Sequence, residues 1–506
     1  MLRRVLLLSL LAVTACSGEE EDDDTTTMRD AGVEETDAGE ADRDGGEVPR
    51  DGGVERDGGP DRDGGAVDGG WTPPQYNRWL KFEPEGAACA NGSQYKYFVN
   101  FSETSDDVVI YFEGGGACWD YAGCTGTGIR SAANRDGIPD DHATAYADLG
   151  GFAIPVDNVY PLLHPSGDVS PMAEWNKVFI PYCTGDVFSG DTVVTYEDPD
   201  NKEPDVEFHH VGHANVLAAV DQLAEVFPSI ERMLVSGCSA GGAGAVINYH
   251  FLRDGLAPNR GYLLDDSGPL FPDQEKTSWS LPLHDRVRAA WNVDPLIQSA
   301  PMSNVLATDL GALADILAQT YPNDRLAHTH FRLDYNYSLY SYERFYTLGK
   351  GGITTFGDGM GLGGLGLDET IPEDRAAVYE MWWDDTDLMR AQFDARPNLG
   401  YFMPFYRTTN SSHCTTIPGI GEFPEDELFD LFLSDFNTLA WAGTELPATL
   451  VGGSTTANIR AYVEHLLDDQ MPLQSFFEVD GEGRYLACTP DPMYFDAQMC
   501  ADAHVD

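Results

Sequence analysis

The chain has 506 residues, a formal net charge of -54 and nine cysteines. That length is enough for one large or two medium domains. From Trp71 onward the sequence holds 64 acidic and 23 basic residues, a net charge of -41. Because nucleic-acid binding needs a basic surface, this charge argues against nucleic acid as a partner, and it disfavours polyanionic substrates as well.

The first 16 residues have the pattern of an export signal. Arg3 and Arg4 precede an apolar run, Val5 to Val13, that is too short to span a bilayer as a mature helix. The run ends in Val-Thr-Ala-Cys, which resembles a bacterial lipoprotein box and implies cleavage before a lipid-bearing Cys16. An ordinary signal peptide with an incidental cysteine is the alternative. We expect an exported lipoprotein at the outer membrane or cell surface, in contact with the membrane only through this N-terminal anchor.

Residues 17–70 form an acidic, low-complexity segment. Asp-Gly-Gly occurs five times between residues 44 and 70, and the segment has no hydrophobic periodicity. Such a sequence cannot bury enough apolar area to offset the entropy lost on ordering. We predict a flexible tether, followed by one catalytic domain at residues 71–506.

A glycine-rich loop follows the first strongly apolar strand. Residues 107–112 are continuously apolar after Asp107, as in a buried parallel strand, and run into Glu-Gly-Gly-Gly-Ala-Cys-Trp at 113–119. In α/β-hydrolases a loop of this type supplies one oxyanion donor, which here is the N–H group of Gly115 or Gly116. A turn without a chemical role is the alternative. A phosphate loop is a third interpretation, but it lacks the lysine that it needs.

The pentapeptide Gly-Cys-Ser-Ala-Gly at 237–241 lies between a short apolar run and a helix that begins on small residues. Strand, Gly-x-Ser-x-Gly, helix is the arrangement of a nucleophile elbow, in which the serine occupies a strained turn. Ser239 is therefore the predicted nucleophile, and Ala240 supplies the second oxyanion donor. A small-residue turn with a capping serine is the alternative. A cysteine enzyme using Cys238 is disfavoured, because that side chain points away from the nucleophile's direction.

Strands and helices alternate along the rest of the chain. The predicted strands are 175–183, 231–236, 327–335 and 399–407, residues 261–268 are a predicted strand with its loop, and the predicted helices are 211–227 and 376–393. This alternation predicts an α/β fold with a mainly parallel sheet flanked by helices. Two further segments, the helical 297–321 and the glycine-rich 349–366, are predicted to be lid insertions.

Eight cysteines remain if Cys16 carries lipid, and an even set in an exported protein suggests disulfides. Their spacing favours two local bridges, Cys118 with Cys124 and Cys488 with Cys500, although connectivity does not follow from sequence. A zinc site is the rival interpretation, but no Cys-x-x-Cys pair supports it. We therefore expect no metal ion and no cofactor.

Four blocks of the sequence resemble the pectin acetylesterase family, which includes the Notum carboxylesterases. The blocks are residues 110–119, 180–190, 235–242 and 413–414, and the resemblance extends from about Phe82 to Thr416. It implies an α/β-hydrolase fold, a serine nucleophile and hydrolysis of acyl esters of carbohydrate or of lipidated protein. At the matched positions it assigns Ser239 as nucleophile, His413 as base, and Gly115, Gly116 and Ala240 as the oxyanion hole. Ala117 stands where some family members carry tryptophan, which leaves the shape of the acyl pocket open.

The acid of the triad is the position at which this chain departs from the family pattern. Asp334 is the only aspartate in residues 331–346 and gives the chain order Ser, Asp, His of the α/β-hydrolases, so we choose it. Glu343 stays open as an alternative acid. The alternative role for Asp334 is to cap a helix or to pair with Arg332.

These residues predict a serine esterase that hydrolyses acetyl or other short-chain esters, expected to be esters of carbohydrate, through a covalent acyl-enzyme. Because the acidic domain repels polygalacturonate, we expect neutral acetylated glycans or small esters as substrates rather than demethylated pectin. The alternative, from a different class, is a catalytically weak or inactive surface-binding protein on a hydrolase scaffold. Acyl length and oligomeric state do not follow from the sequence.

Overall fold

A computed structural model of the chain gives the fold. It describes residues 73–126, 131–149, 152–273, 277–349, 351–355, 367, 371–407, 412–417, 440–441, 443–446 and 458–479. The predicted signal peptide and tether, residues 350 and 356–366 of the glycine-rich segment, and Cys488 and Cys500 lie outside these residues. None of the described helices is both long and apolar enough to cross a bilayer.

Nine strands of the described chain form one mixed sheet. In spatial order they are β1 (Trp79–Phe82), β2 (Tyr97–Asn100), β6 (Asn176–Ile180), β3 (Val108–Phe112), β9 (Arg232–Cys238), β10 (Arg260–Asp266), β11 (Arg325–Thr329), β14 (Leu399–Met403) and β15 (Phe476–Phe477). β2 pairs antiparallel with β1 and with β6, and the other neighbours are parallel. Three separate ribbons pair β4 (Ala147–Leu149) with β5 (Phe152–Ile154), β7 (Thr192–Tyr196) with β8 (Val206–His210), and β12 (Tyr346–Gly349) with β13 (Gly352–Thr355).

The described helices are α1 (Tyr121–Thr125), α2 (Gly212–Val226), α3 (Ala240–Leu256), α4 (Leu281–Trp291), α5 (Asp294–Ser299), α6 (Ser303–Leu306), α7 (Leu313–Thr320), α8 (Tyr335–Tyr342), α9 (Pro372–Asp394) and α10 (Ile459–Leu467). The single helix predicted at 297–321 is wrong, since α5, α6 and α7 are separate. Ala300 is extended (φ -77°, ψ 156°) and precedes Pro301, whose ring disfavours helical backbone in the residue before it.

The centre of the sheet is buried on both faces. Every residue of β3 and of β6 is buried, which explains why β3 is continuously apolar rather than alternating. Helix α3 packs on β9 and β10, and α2 packs on α3. The predicted α/β-hydrolase-like fold is confirmed. In a parallel arrangement the carboxyl ends of β3, β9, β10, β11 and β14 share one edge, so the loops that follow these strands converge.

Three disulfides join described residues: Cys89–Cys183, Cys118–Cys124 and Cys238–Cys414. The second is one of the two local bridges expected from spacing. The other two close much longer stretches of chain, with sequence separations of 94 and 176.

Candidate active site

Ser239 occupies the sharp turn between β9 and α3. Its backbone has φ 59° and ψ -123°, a conformation that residues with a side chain rarely adopt. The turn is held because the N–H group of Ser239 donates to the carbonyl oxygen of Asp266 at 2.8 Å. Gly241 has to be glycine here, since a Cβ atom would overlap the carbonyl oxygen of Phe112 at the end of β3. The strained turn presents the serine at the carboxyl edge of the sheet, as a nucleophile elbow requires.

The glycine loop after β3 lies directly beside this turn. β3 and β9 are parallel neighbours, with Phe112 opposite Gly237, and a Cβ atom on Gly114 would lie 3.4 Å from the Cβ atom of Ser239. Gly115 and Gly116 have φ angles of 142° and 71°, which favour glycine.

Three backbone N–H groups are available at this point. Ala240 is the first residue of α3, so its N–H group has no acceptor within the helix. In the part of the chain that the structure describes, the N–H groups of Gly115, Gly116 and Ala240 donate to no protein acceptor. Together with the positive end of the α3 dipole, they form an environment that favours negative charge.

His413 and Asp334 are in contact, although 79 residues separate them in sequence. Nδ1 of His413 lies 2.8 Å and 3.0 Å from the two carboxylate oxygens of Asp334. Asp334 is fully buried and His413 is 8% exposed, so the pair is shielded from water. The carboxylate therefore orients the imidazole and favours the tautomer with the proton on Nδ1.

Asp334 also caps a helix. One of its oxygens accepts a hydrogen bond from the N–H group of Tyr337 at 3.0 Å, which makes it the N-cap of α8. The predicted strand at 327–335 is therefore too long, since β11 ends at Thr329 and Asp334 follows in a loop. The side chain of Asp334 therefore has both roles: it caps α8 and it orients the imidazole of His413.

Glu343, the alternative acid, lies at the opposite end of α8, where it is the C-cap residue. The eight residues of the helix separate it from Asp334, about 13 Å along the helix axis. The geometry thus brings Asp334, rather than Glu343, to His413.

A disulfide brings the histidine loop to the elbow. Cys238 precedes Ser239, and Cys414 follows His413. One ring nitrogen of His413 lies within 4.8 Å of both sulfur atoms. The predicted nucleophile and base therefore lie on segments that are covalently joined.

Asp266 and Arg407 organise the same loop, although neither residue stands out in the sequence. Asp266 is fully buried and accepts four hydrogen bonds, of 2.6–3.1 Å, from the N–H and hydroxyl groups of Thr415 and Thr416. Burial raises the pKa of Asp266, while these donors oppose the shift. Arg407, also buried, donates to the carbonyl oxygens of His413 at 2.9 Å and Cys414 at 2.7 Å. These contacts determine the loop's path.

Asp186, in the second block of the family resemblance, holds two segments of the chain together. Its carboxylate accepts hydrogen bonds from Thr184 Oγ1 at 2.7 Å and from the N–H groups of Phe188 and Gly212 at 3.1 and 2.7 Å. It thereby connects the loop after β6 to the start of α2. Burial raises the pKa of Asp186 to about 6, against the effect of these donors.

An apolar cavity of about 70 Å³ lies one helical turn beyond Ser239. Its walls include Ala243 of α3, Leu283 of α4, Ile297 of α5, and Tyr337 and Tyr340 of α8. Helices α4 and α5 and the segment after them thus cover an apolar space next to the elbow. This arrangement suits a small apolar group better than a charged one.

Comparison with known proteins agrees with this geometry. Residues 79–301 match the model of the family described as Pectinacetylesterase. The resemblance to the pectin acetylesterase family is therefore confirmed. The matched stretch includes Ser239 and the glycine loop, but it ends before Asp334 and His413, whose contact is a finding of the structure.

Individual relatives of the pectin acetylesterase family match shorter stretches of the chain. Palmitoleoyl-protein carboxylesterase NOTUM of Drosophila melanogaster is 26% identical over 214 residues, which are 40% of this chain and 29% of that protein. Pectin acetylesterases 4 and 7 of Arabidopsis thaliana are 25% and 28% identical over 186 and 181 residues, or 35% and 33% of this chain and 39% of each of theirs. The matches thus span about 30–40% of the length of these relatives.

Proposed function

We propose that this protein is a serine carboxylesterase that removes short acyl groups, such as acetyl, from carbohydrate or other neutral alcohols. The observation that carries the proposal is the buried contact of His413 Nδ1 with Asp334, at 2.8 Å, on a loop joined by a disulfide to the residue before Ser239. A helix N-terminus and a glycine loop with free N–H groups face the same turn. Nucleophile, oriented base and anion-stabilising donors are the parts that acyl transfer needs.

In the proposed mechanism Nε2 of His413 accepts the proton of Ser239 as the serine oxygen attacks the ester carbonyl. The tetrahedral oxyanion accepts hydrogen bonds from the N–H groups of Ala240 and of Gly115 or Gly116. Each such donor contributes about 3–4 kcal/mol to transition-state stabilisation. His413 then gives the proton to the departing alkoxide, and the acyl group remains on Ser239. Water deprotonated by His413 hydrolyses that ester and restores the serine.

The choice of substrate rests on cavity size and on charge. The names of the relatives point to acetyl esters of pectin in one branch and to a palmitoleoyl-protein in the other. A cavity of about 70 Å³ is small beside the roughly 150 Å³ that accommodates a benzene ring, which favours a short acyl group. The net charge of -41 from Trp71 onward favours a neutral alcohol over a polyanionic one.

The proposal includes export and attachment to a membrane through a lipid on Cys16. The pattern of residues 1–16 and the acidic segment that follows support it. Three disulfides fit an oxidising compartment. Metabolic labelling with a fatty-acid analogue tests it, since the label should be lost in Cys16→Ser.

Hydrolysis of p-nitrophenyl acetate by wild type and Ser239→Ala tests the enzymatic proposal. We expect kcat of the variant to fall at least about 10³-fold while its circular dichroism spectrum is unchanged. An equal rate in both proteins would refute the serine mechanism. An inactive binding scaffold, the second candidate, predicts no Ser239-dependent hydrolysis of any acyl ester.

A further inference from the structure

The Cys238–Cys414 disulfide joins the two reactive segments at the positions next to their reactive residues. Cys238 precedes Ser239 directly, and Cys414 directly follows His413. Both cysteines are buried, at 4% and 0% exposure, so the bond lies inside the site rather than on its surface. It therefore constrains the separation of the two segments whose side chains must exchange a proton.

The backbone on both sides of His413 is strained. Ser412 and Cys414 have φ angles of 52° and 59°, in the left-handed region that favours glycine. Residues with side chains stay in this region only where the surrounding structure holds them. The position of His413 thus depends on the contacts that hold its neighbours.

The backbone N–H groups of residues 414–416 are held by the end of β10. Arg407 binds the carbonyl oxygens of His413 and Cys414, but it belongs to the same stretch of chain, six residues before the histidine. Asp266 and Ser267 bind the N–H groups of residues 414–416 and lie at the end of β10. The disulfide ties the loop covalently to β9, the strand that precedes Ser239.

We infer that the Cys238–Cys414 disulfide is a positioning element that keeps His413 within reach of Ser239. The inference rests on the proposed function. Without the bond, the strained loop can relax toward ordinary backbone angles, and a misplacement of about 1 Å lowers a rate about 100-fold. The apolar cavity beside Ser239 is lined by segments other than the histidine loop, so substrate affinity should change little.

The test compares the double variant C238A/C414A with the matched control C89A/C183A. Both remove a buried disulfide that closes a long stretch of chain, 176 or 94 residues, so both should lower the melting temperature. At a temperature where circular dichroism shows all proteins folded, C238A/C414A should lose about 100-fold in kcat, with KM within threefold of wild type. The control should keep kcat within threefold.

Hydrogen exchange gives a readout that does not depend on activity. The amides of residues 414–416 donate to Ser267 and Asp266, and their exchange should accelerate in C238A/C414A but not in the control. Unchanged exchange together with unchanged kcat would overturn the inference. If wild type itself shows no Ser239-dependent hydrolysis, the proposed function fails, while the exchange of these amides still decides whether the disulfide positions the loop.

Should C238A/C414A fail to fold, stepwise reduction of the folded wild type replaces it. Mass spectrometry identifies which disulfide has opened at each step. Loss of kcat should follow the opening of Cys238–Cys414, not that of Cys118–Cys124, and should reverse on reoxidation. Full activity with Cys238–Cys414 open would overturn the inference.

Discussion

The carboxylate of Asp334 offers the sharpest test of the site, because one substitution separates its two roles. Asparagine is as good an N-cap as aspartate, so Asp334→Asn should keep the hydrogen bond from Tyr337 and leave α8 intact. It removes the negative charge that faces Nδ1 of His413 at 2.8 Å, and the amide can stabilise the wrong imidazole tautomer. Substitutions of this kind lower kcat about 10⁴-fold, which corresponds to about 5.5 kcal/mol in the activation barrier.

Asp334→Ala removes both roles and should behave differently. The lost cap costs about 1 kcal/mol, and the buried Nδ1–H group left without an acceptor costs about 1–3 kcal/mol more. We therefore expect urea unfolding to show Asp334→Ala destabilised by about 2–4 kcal/mol and Asp334→Asn close to wild type.

Glu343→Gln is the matched control for these variants. It changes the other carboxylate of the same helix, and p-nitrophenyl acetate hydrolysis should stay within threefold of wild type. A Glu343→Gln enzyme with a 10³-fold loss, beside an Asp334→Asn enzyme of nearly normal kcat, would refute the assignment of the acid.

Three further outcomes are expected. Gly116→Ala should lower kcat about 100-fold by displacing an oxyanion donor. Gly86→Ala is the control, because Gly86 has a similar φ (77° against 71°) and open space around it, so this variant should lose comparable stability and keep its kcat. Equal kinetics in the two variants would contradict the oxyanion role. The pKa of Asp186 is raised to about 6, above its ordinary 3.8, so the folded state holds this proton longer than the unfolded state. The contribution of Asp186 to the unfolding free energy is then greatest below pH 3.8 and falls by about 3 kcal/mol as the pH rises to about 6. At higher pH this contribution stays constant. The difference between wild type and Asp186→Asn in urea unfolding should follow that course, and a difference independent of pH would contradict it. Acetyl-xylan should be deacetylated faster than sugar-beet pectin, measured as acetate release at equal ester concentration, because the acidic surface repels galacturonate; the reverse ranking would contradict the charge argument.

The parts of the site that depend on short stretches of sequence were predictable. The elbow at Ser239 and the glycine loop at 114–116 each follow a buried strand, and small residues are required at fixed offsets within a few positions. Asp334 and His413 came from the family resemblance and from chain order, since no local pattern brings two residues 79 positions apart into contact.

What the sequence did not reveal depends on long-range packing. Cys238 and Cys414 are 176 residues apart, and spacing favours only local bridges. In the sequence Asp266 resembles any acidic residue at the end of a strand, because its role depends on contact with the distant histidine loop. The broken helix at 297–321 is a different case, because Pro301 and the residue before it were visible signals of interruption.

Labelling with a fluorophosphonate probe tests the central claim most directly, because only a serine activated by a base and an oxyanion hole reacts quickly. The mechanism predicts one label per chain, located by mass spectrometry on Ser239, and absent from Ser239→Ala. Labelling should be slowed at least about 10³-fold in His413→Ala. No labelling of the folded wild type, or a label on a different serine, would contradict the account.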